Sequence, residues 1–310
     1  MAVGLSALQI LLEEGGRKDW FSSAFIVEAA IVAAVGLAAF VIIELGRTQP
    51  FINLRLLGRY NFGLASLMQF TFGAAVFGVV FLVPNYFADA QGYNARQIGL
   101  TMIPYGAVQL VMSFATPPLM RRIGVRLAIA LGFVIMAAGC LMNIHLDADA
   151  ARNVIVPSLV VRGIGQSLIV VALGVMAVQG LEKAEMGSAS GVFSMVRNVG
   201  GAIGIAIAGQ FVVDREKLHA VHIGEAVTPY ALATRDRMVD LVRLLAQHPV
   251  DRATALYSSA TAPLRQRALA LLDQDVHRQA LLMSYSDAFL IAGLAMLACA
   301  GASLLLRGKR

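Results

Sequence analysis

The chain has 310 residues, of which 58% are hydrophobic and only 14% are charged, and its formal net charge is +6. A soluble domain of this composition would have too little polar surface, and a mean hydropathy of +0.72 agrees. The composition therefore predicts an integral membrane protein. Because the cations lie in loops beside apolar segments, they indicate contact with membrane lipids and exclude a nucleic-acid partner.

Apolar segments of about twenty residues recur along the chain, and each is long enough to cross the hydrocarbon core of a bilayer as a helix. The first segment, Met1–Leu12, is too short and is interpreted as the end of a longer helix. Complete spans are predicted at about Ser23–Ile43, Phe62–Val83, Ile98–Phe114, Leu127–Leu146, Val154–Val178, Val192–Val213 and Ala288–Leu306. The expected fold class is an all-α integral membrane protein.

The distribution of Lys and Arg in the short loops predicts the orientation, because cytoplasmic loops carry the excess. One alternate set of loops is rich in cations: Arg47, Arg55, Arg59, Arg121, Arg122, Arg126, Lys183, Arg307, Lys309 and Arg310. The opposite set has fewer cations together with three aspartates: Arg17, Lys18, Arg96, Arg152, Asp89, Asp147 and Asp149. We therefore expect the first set, and with it the C-terminus, on the cytoplasmic side.

A long polar segment at about 214–286 is expected on the outer side, where long loops cross regardless of charge. Apolar residues recur twice at helical spacing and predict two amphipathic helices, one at Met238, Leu241, Val242 and Leu245, the other at Leu264, Ala268, Leu271 and Leu272. Pro229, Pro249 and Pro263 are expected to mark the ends of these helices. His219 and His222 stand three residues apart, but no third ligand has a diagnostic spacing, so no metal site is expected.

Three ionisable residues are candidates for coupling or gating in transport. Arg162 lies about nine residues into its span, where a cation costs at least roughly 2.5–3.5 kcal/mol and usually faces the bundle interior or an aqueous path. Its structural alternative is to cap carbonyls of a neighbouring helix. Glu28 lies near the start of its span and fits a proton path, a polar pair or an interfacial position. Arg197 and Asn198, near the start of theirs, either pair locally or reach the cytoplasmic headgroups.

Two further sets of residues suggest packing and binding surfaces. Small residues at four-residue spacing predict a close helix-packing face that can also serve in gating: Gly187, Gly191, Gly200 and Gly204. Aromatic, amide and thioether side chains could line a cavity for an amphipathic solute, or be ordinary helix contacts: Gln69, Phe72, Phe77, Gln109, Met112 and Gln166. The chain contains no phosphate loop, zinc-protease motif or nucleophile elbow, so neither catalytic residues nor an enzyme are expected.

Several segments carry a family resemblance: Trp20 after Glu13-Glu14, Gln49-Pro-Phe-Ile-Asn-Leu-Arg-Leu-Leu57, Pro84-Asn-Tyr-Phe-Ala-Asp-Ala-Gln-Gly-Tyr93, Gly99-Leu-Thr-Met-Ile-Pro-Tyr-Gly106, Arg162-Gly-Ile-Gly-Gln166, Gly187-Ser-Ala-Ser-Gly191 and Arg197-Asn-Val-Gly-Gly-Ala-Ile-Gly204. In order and spacing they resemble the EmrB/QacA group, the fourteen-span drug:proton antiporters of the major facilitator superfamily. The resemblance maps residues 1–60 onto two linker helices, the first truncated. It maps residues 61–310 onto the C-terminal six-helix bundle, with its long outer loop.

The resemblance implies the C-terminal half of a multidrug efflux transporter that exchanges amphipathic, often cationic compounds for protons. It implies no cofactor, a proton gradient as energy source, and an N-terminal transporter half as partner. It also implies a bacterial inner membrane, with a periplasmic adaptor and an outer-membrane channel where a second membrane exists. The segment Thr116–Arg126 departs from the family pattern at Pro117 and Arg121, so the usual gating ion pair is not expected there. The alternative is a non-transporting scaffold or remnant.

Overall fold

The computed structural model of the protein describes residues 2–15, 18, 20–46, 53–144, 152–179, 181–228, 230–247 and 262–306. Within these ranges the regular structure is helical, as predicted. The helices are α1 (Ala2–Glu14), α2 (Ala24–Gly46), α3 (Tyr60–Asp89), α4 (Ala95–Ile123), α5 (Val125–Leu141), α6 (Arg152–Val178), α7 (Lys183–Ala226), α8 (Leu232–Gln247) and α9 (Ala262–Ser303). Short 3-10 helices occupy Trp20–Ser22 and Leu54–Gly58.

Six of the described helices are long and apolar enough to cross a membrane: α2, α3, α4, α6, α7 and α9. Helix α5 is apolar but has only 17 residues. The predicted span at 127–146 is therefore wrong at its end, because the helix stops at Leu141 and a turn follows at residues 142–144. Helices α1 and α2 precede the six helices α3–α7 and α9, which is the order expected for two linker helices and a bundle.

The loops that separate the spans have clear local causes. Asn94 accepts a hydrogen bond from the backbone of Gln97, whose side chain in turn accepts one from the backbone of Asn94, so a complete capping box begins α4. Gly92 has a φ of 64° and Gly124 a φ of 85°, conformations that other residues rarely adopt. These two glycines therefore allow the chain to turn between α3 and α4 and between α4 and α5.

Several helices continue beyond the apolar segments that predicted them. Helix α3 continues through Pro84 to Asp89, and α4 continues through Pro117 and Pro118 to Ile123. Helix α7 begins at Lys183, nine residues before the predicted start of its span. Hydropathy marks the part of a helix that can lie in lipid, whereas the backbone hydrogen bonds continue past it.

The predicted polar loop at about 214–286 is largely helical at both ends. The first amphipathic helix is present as α8, but the second lies inside α9, which runs without interruption from Ala262 to Ser303. The prediction of a separate second amphipathic helix is therefore wrong, because its apolar positions continue in helical phase into the last span.

The chain divides into two units, one comprising Met1–Gln210 with Ser286–Arg310 and the other Phe211–Tyr285. In the first unit, aromatic and aliphatic side chains form a buried core in which Phe72 meets the edge of Phe133, with ring centroids 6.2 Å apart. In the second unit, Arg237 pairs with Asp275 at 2.7 Å. His277 Nδ1 there lies 3.4 Å from a carboxylate oxygen of Glu216.

Some features that the sequence singled out lie outside the described residues: Arg17, Arg47, residues 49–52, Asp147, Asp149, Pro229, Pro249, Arg307, Lys309 and Arg310. The side chains of Glu13, Trp20, Arg152, Pro263 and Leu264 also lie outside what the structure describes.

Candidate functional site

Arg162 is the central residue of the candidate site, and helix α6 holds it in the interior of the first unit. Its side chain is 1% exposed. Its Nε donates to the carbonyl oxygen of Ser158 and its Nη2 to the hydroxyl of Ser158, both at 3.3 Å. The guanidinium also lies over the ring of Phe289, 5.4 Å from its centroid. Among the described residues, no carboxylate lies within ion-pair distance of this cation.

Glycines on α5 and α6 make room for Arg162. A Cβ at Gly139 would lie 2.5 Å from Cγ of Arg162, and a Cβ at Gly165 would lie 2.6 Å from the backbone nitrogen of Met136. Real Cβ atoms do not approach other atoms so closely. The two helices can therefore pack at this separation, and the arginine can fit between them, only because these positions lack a side chain.

A polar network joins α4 to α6 beside Arg162. The hydroxyl of Tyr105 donates to Oε1 of Gln166, and Nε2 of Gln166 donates to Oε1 of Gln109 at 3.5 Å. Ser167 donates to the carbonyl oxygen of Gln109 at 3.1 Å. The structure thus brings together two of the predicted cavity residues, Gln109 and Gln166, and adds Tyr105. Tyr105 lies in the segment Gly99–Gly106, one of those that carry the family resemblance. That membership was the feature of the sequence that could have identified it.

The other predicted cavity residues have varied surroundings. Gln69 and Phe72 are 2% and 1% exposed, so they are interior positions. Phe77 is 37% exposed, and its ring lies against Gly201, where a Cβ would approach it to 2.5 Å. Met112 is half-buried, and its carbonyl oxygen accepts a hydrogen bond from Thr116 at 2.7 Å. Of the six predicted cavity residues, only Gln109 and Gln166 are joined to each other by a hydrogen bond.

The predicted glycine face divides into two parts. Gly200 lies against the backbone of Phe70 and Gly204 against the backbone of Ala74, so α7 and α3 approach closely there. A Cβ at Gly187 or Gly191 would meet nothing within 4 Å. The close contact therefore involves Gly200 and Gly204 and does not include the first pair.

The two other ionisable candidates lie away from Arg162. Glu28 is exposed on α2 and forms no ion pair with a described residue. Arg197 lies 12 residues beyond Glu185, which is about 18 Å along α7. Helix α7 begins at Lys183, before the predicted span at 192–213, so Arg197 lies well inside the helix although it is near the start of that span. Its Nε is buried and has no hydrogen-bond partner among the described residues.

A polar layer connects three helix ends of the first unit. Arg59 makes two 3.0 Å hydrogen bonds to the carboxylate of Glu185, and the hydroxyl of Tyr60 donates to the carbonyl oxygen of Leu305 at 3.2 Å. These contacts place the start of α3, the start of α7 and the end of α9 at the same end of the bundle. A cavity of about 290 Å³ opens there, lined by Arg59, Tyr60, Asn61, Phe62, Met176, Ala177, Gln179 and Leu181.

Sequence reasoning missed Asn143, which follows α5. Its side chain is fully buried, and neither atom of its amide has a hydrogen-bond partner within the described part of the chain. It stands one helical turn after Gly139, the residue that contacts Arg162. A lone Asn near the end of a predicted span resembles an ordinary interfacial or turn residue, so only the burial reveals it.

Metal chemistry finds no support in the described residues. Their His, Cys, Asp and Glu side chains contain no group of three that could hold a metal ion. The two cysteines, Cys140 and Cys299, are buried and free.

Apolar helices that bury an arginine, here beside a pair of half-buried glutamines, are typical of polytopic membrane transport proteins. Residues 1–205 match the family described as the Major Facilitator Superfamily. The chain belongs to this superfamily.

Named relatives give a more detailed comparison. The colistin resistance protein EmrB of Acinetobacter baumannii is 25% identical over 311 residues, which is 100% of this chain and 58% of that protein. The multidrug export protein EmrB of Escherichia coli K12 is 24% identical over 296 residues, 93% of this chain and 53% of that protein. The multidrug resistance protein Stp of Mycobacterium tuberculosis is 30% identical over 207 residues, 67% of this chain and 38% of that protein. These relatives confirm the resemblance to the EmrB/QacA group, and the chain spans about half of their length or less.

Proposed function

We propose that this chain supplies the C-terminal half of a proton-coupled multidrug efflux transporter and works together with an N-terminal six-helix bundle. Superfamily membership and the export functions in the names of its relatives support this proposal. The exported compounds are amphipathic and often cationic, and protons move in the opposite direction. The protein lies in a bacterial inner membrane with its C-terminus in the cytoplasm.

The observation that carries the proposal is the burial of Arg162 without an acidic partner among the described residues. A cation inside a membrane bundle is costly, and a purely structural role could be filled by an apolar residue. Within the described ranges its hydrogen bonds go only to Ser158 on its own helix, and no salt bridge there joins it to a neighbouring helix. Arg162 is therefore the coupling or gating residue. Gln109 on α4 and Gln166 on α6 orient polar groups of the substrate.

The test is ethidium efflux from cells that lack their own drug pumps. The cells express the chain together with an N-terminal bundle, and the variants are Arg162→Ala and, as a matched control, Arg96→Ala. Arg96 is exposed at the start of α4, so its loss should leave efflux unchanged. We expect Arg162→Ala to abolish efflux at equal amounts of protein in the membrane. Efflux by Arg162→Ala at the level of the unchanged protein would remove the coupling role of Arg162, and an unchanged chain that adds no efflux to that of the N-terminal bundle alone would favour the non-transporting scaffold.

A second part of the proposal concerns partners. We propose that the long polar segment at about 214–286, which includes the end of α7 and α8, contacts a periplasmic adaptor, which itself joins an outer-membrane channel. Deletion of residues 215–278 should then weaken capture of the adaptor in a pull-down from detergent extracts. Capture that is unchanged by the deletion would remove this role and leave the transport proposal untouched.

A further inference from the structure

Three buried polar atoms near the contact of α3 with α7 have no hydrogen-bond partner among the residues that the structure describes. They are Oγ of Ser66, Oε1 of Gln69 and Nε of Arg197. Ser66 and Gln69 are each 2% exposed. An unsatisfied buried polar group is costly, so three of them at one helix contact indicate a polar group that the described residues do not supply.

The helix register brings Arg197 to the level of Gln69 on α3. Gly200 contacts the backbone of Phe70, while Gly73 contacts the backbone of Arg197. Arg197 precedes Gly200 by three residues, so its level on α3 lies between residues 67 and 73, where Gln69 stands.

Side-chain direction brings Ser66 to the same place. Ser66, Gln69 and Gly73 succeed each other at spacings of three and four, so they share the face of α3 that meets Arg197. Helical side chains lean toward the helix N-terminus, and α3 and α7 run parallel here. The side chain of Arg197 therefore leans toward the level of Ser66, one turn before Gln69.

The donors and acceptors of this cluster define the group that it can hold. Nε of Arg197 only donates, Oε1 of Gln69 only accepts, and the hydroxyl of Ser66 does both. With the Gln69 amide in its observed orientation, a carboxylate cannot donate to Oε1, and an ammonium group cannot accept from Arg197 and is repelled by its charge. A neutral hydroxyl accepts from Arg197 and donates to Gln69.

We propose that the α3–α7 contact contains a buried binding site for a neutral hydroxyl group, formed by Ser66, Gln69 and Arg197. The occupant is a water molecule or the hydroxyl of a transported amphipathic compound. The second source rests on the proposed transport function, whereas the site itself does not.

The test is X-ray radiolytic footprinting of the purified full chain in lipid nanodiscs, which oxidises side chains next to bound water. Met68 is the reporter because it adjoins Gln69 in the sequence, and Met136 on α5 is the matched control. Both methionines are 1% exposed, so accessibility from bulk solvent is equal. We expect Met68 to be oxidised several-fold faster than Met136. In Gln69→Leu, and in the smaller change Ser66→Ala, the rate for Met68 should fall toward that for Met136.

Two probes distinguish the sources of the hydroxyl. If 1-naphthol slows the oxidation of Met68 while 1-methylnaphthalene does not, the site accepts the hydroxyl of an amphipathic compound. If neither probe slows it, the occupant is water alone. Equal oxidation of Met68 and Met136 in the unchanged protein would overturn the proposal. Rapid oxidation of Met68 in a protein that fails the ethidium assay would remove the transport function and leave the site.

Discussion

The contact between α5 and α6 allows a sharp test of how the bundle packs. Gly165 and Gly174 both lie on α6 and have different surroundings. A Cβ at Gly165 would lie 2.6 Å from the backbone nitrogen of Met136 and 2.8 Å from the carbonyl oxygen of Gly132. A Cβ at Gly174 would meet nothing within 4 Å. Gly165→Ala therefore adds a methyl group to α6 at a crowded position, and Gly174→Ala adds the same group to the same helix at an open one.

The expected cost follows from these distances. Ordinary van der Waals contact begins at 3.4 Å, so the methyl group at Gly165 is too close by 3.4 − 2.6 = 0.8 Å. The nearest atoms belong to the α5 backbone, which cannot rotate away as a side chain can. Overpacking of this kind costs about 1–3 kcal/mol. The gain in helix propensity from Gly to Ala, at most about 1 kcal/mol, is common to both variants and cancels in the comparison.

The assay is thermal unfolding of the two purified variants in the same detergent, followed by loss of the monodisperse peak in size-exclusion chromatography. We expect the midpoint of Gly165→Ala to lie several degrees below that of Gly174→Ala. Efflux should also fall in Gly165→Ala, because Gly165 lies between Arg162 and Gln166. Equal midpoints for the two variants would refute the conclusion that a close α5–α6 approach is required at this position.

Three further outcomes are expected. Gly204→Ala should lower the unfolding midpoint more than Gly187→Ala, since Gly204 lies against the α3 backbone and Gly187 faces open space; equal midpoints in detergent would contradict this. The Arg59–Glu185 pair should contribute only about 0.2–1 kcal/mol in a double-mutant cycle on unfolding, because both side chains are partly exposed, at 51% and 23%. Tyr105→Phe should cost about 0.5–1.5 kcal/mol of stability by removing one neutral hydrogen bond, measured by unfolding in detergent, and an unchanged midpoint would show that the bond contributes nothing.

The extent of α7 shows what hydropathy predicts and what it misses. The apolar segment 192–213 marks the part of this helix suited to lipid, and α7 includes all of it. The preceding residues from Lys183 are polar, so hydropathy does not mark them as helix. They are helical nevertheless, and Glu185 pairs there with Arg59 while Ser188 accepts a hydrogen bond from the backbone of Asn53 at 2.5 Å. Because of this extension, Arg197 lies well inside α7 and away from its end, which the hydropathy pattern did not show.

Which helices pack against each other could not be predicted from the sequence, for a different reason. The spacing of Gly200 and Gly204 predicted a close approach by some helix, because small residues four apart lie on one face. Gly187 and Gly191 have the same spacing, yet they face open space. A spacing describes one helix, whereas a contact requires a second helix at the same level. The pairing of Gln109 with Gln166 depends likewise on α4 and α6 being neighbours.

The sequence by itself determined the fold class, the membrane location, the number of bundle helices and the family resemblance, because all of these follow from the order of apolar segments and motifs along one chain. It also identified Arg162, since a cation amid apolar residues is conspicuous without coordinates. Only the tertiary structure decided that Arg162 lacks an acidic partner among the described residues, that Tyr105 joins the glutamine pair, and that Ser66, Gln69 and Arg197 each hold a buried polar atom without a hydrogen-bond partner in that part of the chain. These facts depend on distances between separate helices, which are set by packing and leave no local pattern in the sequence.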